Sequence, residues 1–169
     1  NYDNVMKFIN IINDPKGINI GIRHITVSTC GIVPKIKEFT KEKAGVNLAI
    51  SLHAPTDLVR DKIMPINKAY KIGDIMDAVR DYIAKTNRRV TFEYILLKGV
   101  NDSEECAIKL VNLLKGVNCY VNLIPYNETS HIEYKTSPKV TINRFYDILK
   151  EGNINVTIRR EFGSKVSAA

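Results

Sequence analysis

Four apolar, β-branched runs in this sequence end in residues that can hold a polar ligand. Residues 24–29 (HITVST) lead into Ser28-Thr29-Cys30-Gly31, and residues 47–52 (NLAISL) into Ser51-Leu52-His53-Ala54-Pro55. Residues 119–125 (CYVNLIP) lead into Pro125-Tyr126-Asn127, and residues 155–159 (NVTIR) into Arg159-Arg160-Glu161. Hydroxyls and a side-chain amide hydrogen-bond an amino acid or a ribose, a glycine lets backbone N–H groups approach, and a helix start receives a carboxylate. That inventory suits a polar cofactor. Each residue also has a purely structural explanation. Ser28 and Thr29 can begin a helix, Ser51 can be a hydroxyl bonded to backbone, and Asn127 can hold its own turn. His53 can be a satisfied loop histidine, since the sequence places no carboxylate to orient it. Thr56 reads as the cap of a helix beginning near Leu58, and Cys30 as a small apolar filler. His24 and His131 carry no signal.

If these residues are to meet, the runs must be neighbouring strands. A fifth run, residues 90–97 (VTFEYILL), joins the four. Several are nearly continuous in apolar residues, which predicts strands covered on both faces, as in parallel sheets. Helical periodicity fills the intervals. In 72–84, Ile75, Met76, Val79, Tyr82 and Ile83 share a face, and in 103–115 Ala107, Ile108, Val111 and Leu114 do so. Asp102 and Glu105 are spaced as a capping box at the start of the second helix, and Gly116 is placed to end it. Residues 1–13 predict a helix with Val5, Phe8, Ile9 and Ile12 on one side, and 143–150 another using Phe145, Ile148 and Leu149. Alternating strands and helices with long connections imply βαβ units. Periodicity alone fits an open doubly wound sheet or part of a (β/α) barrel. In either, ligands belong at the carboxyl ends of the strands.

Composition sets outer bounds. With 169 residues, 44% hydrophobic, the chain can form one packed α/β domain and is neither a disordered tail nor a repeat array. The formal charge of +7 raises the prospect of a polyanionic partner. The run Lys35, Lys37, Lys41 and Lys43, interleaved with Glu38 and Glu42, reads as a solvated helix face rather than a binding patch. Cys30, Cys106 and Cys119 fit neither a disulfide framework nor a metal loop, which places the chain in a reducing, cytoplasmic setting. No stretch approaches the about 18 apolar residues of a membrane span, and Asn-Tyr-Asp-Asn-Val does not read as a signal peptide. Glycine-rich nucleotide loops, a Gly-x-Ser-x-Gly elbow, paired metal-ligand histidines and a Cys-x-x-x-Cys-x-x-Cys loop are all absent from the sequence.

The strings ITVSTCGIVPKI, VNLAISLHAPTDLVRDKIMPINKAY, FEYILLKGVNDS, VNLIPYN and VTIRREFGSKVSAA occur in this order between Ile25 and Ala169. Together they resemble the radical-SAM enzymes that methylate C2 of adenine in large-subunit rRNA and in tRNA. The resemblance implies an α/β fold, a partial (β/α) barrel of radical-SAM type with a curved, mostly parallel sheet. It implies S-adenosylmethionine bound by Ser28, Ser51, Leu52, His53 and Asn127, and a [4Fe-4S] cluster. RNA partners and an electron donor such as flavodoxin or ferredoxin are implied as well. In that family a Gly-Glu-Pro motif, the cluster cysteines and a small RNA-binding domain precede the position of Asn1, and a methyl-carrying cysteine follows that of Ala169. Residues 1–169 are therefore expected to be the C-terminal portion of a radical-SAM core, inactive alone, with the cluster ligands elsewhere and no metal ligand of its own. Ser164-Lys165-Val166-Ser167, Tyr126 and Glu128 depart from the family pattern, the first in the loop before the missing cysteine.

Two other readings make different predictions. An enzyme of the related antibiotic-resistance branch methylates C8 of adenine instead. A non-catalytic α/β RNA-binding module would bind RNA in a salt-sensitive way and have no S-adenosylmethionine site.

Overall fold

The computed structural model describes residues 1–42, 45–128 and 133–159. Five strands, β1 (Thr26–Thr29), β2 (Asn47–Ser51), β3 (Val90–Leu96), β4 (Cys119–Pro125) and β5 (Val156–Ile158), form one sheet in the order β1-β2-β3-β4-β5. Every neighbouring pair is parallel. Helix α1 (Tyr2–Asn13) precedes the sheet, and α2 (Val33–Phe39) joins β1 to β2. Helices α3 (Asp57–Ile63) and α4 (Ile72–Thr86) join β2 to β3, while α5 (Glu104–Leu114) and α6 (Lys139–Glu151) make the last two crossovers.

Sequential strand order decides between the two topologies left open by periodicity. A doubly wound sheet reverses direction at a switch point and so receives helices on both faces. Here the sheet grows one way only, and crossovers of one hand put the helices on one face. The longer strands β3 and β4 accordingly alternate instead of being covered on both sides, whereas β2 buries Leu48, Ala49 and Ile50 in succession. In β3, Val90, Phe92, Tyr94 and Leu96 are buried, while Thr91, Glu93 and Ile95 are half-exposed. The same alternation holds from Cys119 to Ile124 in β4. The expectation of two covered faces is thus corrected. The apolar runs were dense because Ala49 and Ile95 interrupt the polar positions of the open face.

The covered face packs Leu48, Ile50, Phe92, Tyr94, Val121 and Leu123 against Ile36 and Phe39 of α2, Ile75, Met76, Val79 and Tyr82 of α4, Leu110 of α5 and Phe145 of α6. Tyr94 lies with its ring centroid 5.1 Å from that of Phe145. Each fully buried side chain of this size contributes about 1.5–3 kcal/mol relative to exposure. Two predicted core positions differ. Ile108 is 52% and Phe8 59% exposed. In α5 the buried set is Cys106, Ala107, Leu110 and Leu114, one position off the expected face.

Local signals in the sequence match the structure in several places. Thr56 caps α3, its hydroxyl accepting from the N–H of Val59. Lys35 pairs with Glu38 at 2.6 Å on a solvated face of α2. The cap of α5 is Ser103, accepting from Cys106 N–H, and not Asp102. Asp102 instead accepts from Gly99 N–H and from the Ser137 hydroxyl, tying the β3–α5 loop to the start of α6. His24 belongs to a short 3-10 turn (Ile22–His24) before β1, which is shorter than expected. Lys43, His131, Arg160, Glu161 and residues 164–169 lie outside the described residues.

Candidate cofactor site

The open face of the sheet carries a polar row. Ser51 is in register with Glu93, Glu93 with Asn122, and Asn122 with Thr157. Residues directly opposite in a sheet project to the same side, so these four share the face left free by the helices. Ser28, in register with Ala49 two positions before Ser51, belongs to it as well. The hydroxyls of Ser28 and Ser51 both donate to Oε2 of Glu93, each at 3.2 Å. Glu93 was not among the residues singled out from sequence, yet it joins two that were. A hollow of about 150 Å³ lies beside β1 between α1 and α2, with Ser28 and Thr29 on its wall.

At the carboxyl end of β2 the chain turns sharply. The N–H groups of Leu52 and His53 both donate to the Glu93 carbonyl, at 3.1 and 3.2 Å, and His53 takes φ +59. This left-handed conformation is uncommon for a histidine and is held by its surroundings. Nδ1 of His53 accepts from the Ile95 N–H at 3.1 Å. Asn101, fully buried, donates to the His53 carbonyl at 2.8 Å and the Ile95 carbonyl at 2.7 Å, and accepts from Leu97 N–H at 2.8 Å. The imidazole is therefore oriented by backbone rather than by a carboxylate. Burial and the nearby Arg60 charge bring its pKa down to about 4, against an opposing pull from Glu93. At neutral pH His53 is uncharged, and because Nδ1 accepts, the ring proton resides on Nε2. It can donate one hydrogen bond to a ligand and is poorly suited to act as a general acid.

Arg60 is the second element that local sequence reading missed. Fully buried, it donates from Nε to the Leu52 carbonyl at 3.0 Å and from Nη1 to Asn67 Oδ1 at 3.0 Å. Its Nη2 reaches the carbonyls of Cys30 at 2.6 Å and Ser51 at 3.3 Å. One planar guanidinium thus fastens the ends of β1 and β2 together. Gly31 is needed there by geometry. Its φ is +100, and a Cβ would sit 2.6 Å from Ile75 Cδ1. Its N–H donates to Thr29 Oγ1 at 3.2 Å, so the Gly31 N–H itself serves the turn.

The sequence-predicted residues fall as follows. Ser28, Ser51 and His53 lie within one hydrogen-bonded assembly around Glu93, Ile95 and Arg60. The Leu52 side chain is 0% exposed and both its backbone groups are bonded within the protein. Its place is in the core, setting the turn that presents His53. Asn127 is exposed, two residues beyond the end of β4 and at the same carboxyl edge of the sheet. Its neighbour Tyr126 is anchored by the Thr136 hydroxyl, which donates to the Tyr126 carbonyl at 2.6 Å.

Hydroxyls, one imidazole donor and one carboxylate around an open strand-end face fit the polar parts of S-adenosylmethionine. An iron–sulfur cluster is not matched by these residues. Cys106 and Cys119 are buried in the core, where desolvation pushes the Cys119 thiol up to about 11, and Cys30 stands apart at the end of β1. Among the described residues no group of three potential ligands converges.

A parallel, sequentially ordered sheet with helices on one face and polar residues at its carboxyl edge is the architecture of a radical-SAM domain. A radical SAM methyltransferase from Sphaerobacter thermophilus superposes with a TM-score of 0.97 at 45% identity, covering 99% of this chain and 49% of that one. A domain of a pyruvate-formate lyase-activating enzyme from Bacteroides vulgatus shares the fold at a TM-score of 0.68 and 17% identity, covering 94% of this chain and 93% of that one. No family model matches the sequence. Proteins named probable dual-specificity RNA methyltransferase RlmN match throughout: that of Spiroplasma citri is 59% identical over 169 residues, and that of Geobacillus kaustophilus 56%. The match takes in 100% of this chain and 48% and 46% of those proteins, so the chain spans about half the length of the curated relatives it matches. Along its whole length the chain is similar to proteins named dual-specificity RNA methyltransferase and to a radical SAM methyltransferase of known structure.

Proposed function

We propose that this chain is the C-terminal portion of the catalytic core of a radical-SAM methyltransferase that modifies C2 of adenine in large-subunit rRNA and tRNA. The observation that carries the reading is the union of Ser28, Ser51 and His53 around Glu93 at the carboxyl end of the sheet. Ser28, Ser51, His53 and Asn127 would hold S-adenosylmethionine, with Leu52 fixing the turn between Ser51 and His53. Bound there, S-adenosylmethionine supplies the methyl group. The chain's own residues orient it: the serine oxygens accept, His53 donates from Nε2, and the packed covered face keeps water from the sheet behind them. On this reading the [4Fe-4S] ligands lie outside these residues, and the chain alone would not turn over.

The partners on this reading are the two RNAs and a flavodoxin- or ferredoxin-type electron donor, and the setting is the cytoplasm. Among the described residues no helix is long and apolar enough to cross a membrane. The test is anaerobic reconstitution of the complete gene product with iron and sulfide, followed by mass mapping of the methylated ribosomal adenine. A methyl at C2 is the expected result. A methyl at C8 overturns the regiochemistry, and salt-sensitive RNA binding with no S-adenosylmethionine binding overturns the enzyme reading.

A further inference from the structure

We propose that Glu93 is the charge-selecting, positioning residue of this site, making it prefer a sulfonium ligand to the corresponding neutral thioether. The inference rests on the S-adenosylmethionine reading above and concerns how the site tells cofactor from spent product.

The five strands contain 26 residues in TVST, NLAIS, VTFEYIL, CYVNLIP and VTI, and Glu93 is the single charged one. It stands on the open face, in register between Ser51 and Asn122. Its partners there are hydroxyls, those of Ser28 and Ser51, and among the described residues no lysine or arginine forms an ion pair with it. A carboxylate without a cation of its own attracts whatever brings positive charge near it. A ligand carrying a sulfonium does so. The sulfur of its thioether product does not, because it retains the electron pair of the bond that held the methyl group, and the α-ammonium is common to both ligands.

The hydrogen bonds act in the same direction. A serine has one hydroxyl proton. When Glu93 Oε2 takes it, the serine oxygen faces a ligand with lone pairs only. Glu93 therefore sets Ser28 and Ser51 as acceptors for the hydroxyl or ammonium donors of the ligand. At 3.2 Å both bonds are long for hydroxyl-to-carboxylate pairs, so the serines can shift toward a ligand at little cost.

Binding of S-adenosylmethionine and S-adenosylhomocysteine to the reconstituted gene product, read by titration calorimetry, tests this. The wild type should favour the sulfonium, and Glu93→Gln, which keeps an acceptor for both serines, should lose about tenfold in sulfonium affinity with the thioether nearly unchanged. Glu93→Asp, retaining the charge, should keep most of the preference. If Glu93→Gln leaves the ratio of the two affinities as in the wild type, or weakens both ligands equally, the charge-selecting role is refuted while the cofactor reading stands. If the wild type binds neither ligand, the cofactor reading itself fails.

Discussion

Lowering the pH from neutrality to 4 should destabilise the folded chain through His53 alone by about 3 kcal/mol. In the fold its pKa is held down to about 4 by burial and by Arg60, against 6.5 for an unperturbed imidazole. As pH falls below 6.5, the unfolded chain takes up a proton that the folded chain refuses, so the equilibrium moves toward unfolding. The stability that the neutral ring provides is complete above 6.5 and is lost on descent through 4. At about 1.4 kcal/mol per pKa unit, the loss is about 2 kcal/mol at pH 5 and about 3 kcal/mol once the folded-state group has also protonated. His53→Asn isolates the effect. Asparagine tolerates the left-handed backbone, its Oδ1 can accept the Ile95 N–H in place of Nδ1, and it does not titrate. Urea unfolding of both chains from pH 7 to 4 should give a difference curve that rises by about 3 kcal/mol in favour of the variant. A flat difference curve, or a His53 ring resonance that titrates near 6.5 in the folded protein, would refute the reasoning.

Two further substitutions test the supports of the site, and a third the packing of α6 on α5. Arg60→Lys keeps the charge but cannot reach Leu52, Ser51, Cys30 and Asn67 from one planar group, and should lower the unfolding free energy by about 2–4 kcal/mol. An unchanged urea midpoint would show that the guanidinium does not fasten β1 to β2. Asn101→Ala removes the side-chain partner of one buried and two part-buried backbone groups and should cost about 3 kcal/mol, with faster amide exchange at Leu97 as the local sign. Gly152→Ala puts a methyl 2.5 Å from Val111 Cγ1 and should cost about 1–3 kcal/mol. Adding Val111→Ala should recover much of that loss, and strictly additive effects in the double variant would contradict the close contact.

Much of this architecture is legible in short windows of sequence. The span of β4, the buried face of α4 and the Thr56 cap all follow from interactions over a few residues, where periodicity and side-chain hydrogen bonding to nearby backbone dominate. The same windows misjudge α5. Ile108 and Leu110 both satisfy a helical spacing, and only the direction from which β3, β4 and α6 press on the helix selects Leu110. Dense apolar runs likewise suggested two covered faces. Which face is covered depends on the direction in which successive crossovers add strands, a property of the whole sheet.

By itself the sequence determined the alternation of strands and helices, the polar strand ends and, through its strings, the resemblance to radical-SAM methyltransferases. It also named Ser28, Ser51, Leu52, His53 and Asn127. Glu93, Arg60 and Asn101 became visible only in three dimensions. Glu93 meets its serines across 65 and 42 positions, and Arg60 reaches Cys30 across 30. Such contacts are made by parallel register and by the return of α3 over the strand ends. A residue's type says that it can donate or accept, whereas its partner is fixed by where the chain comes back.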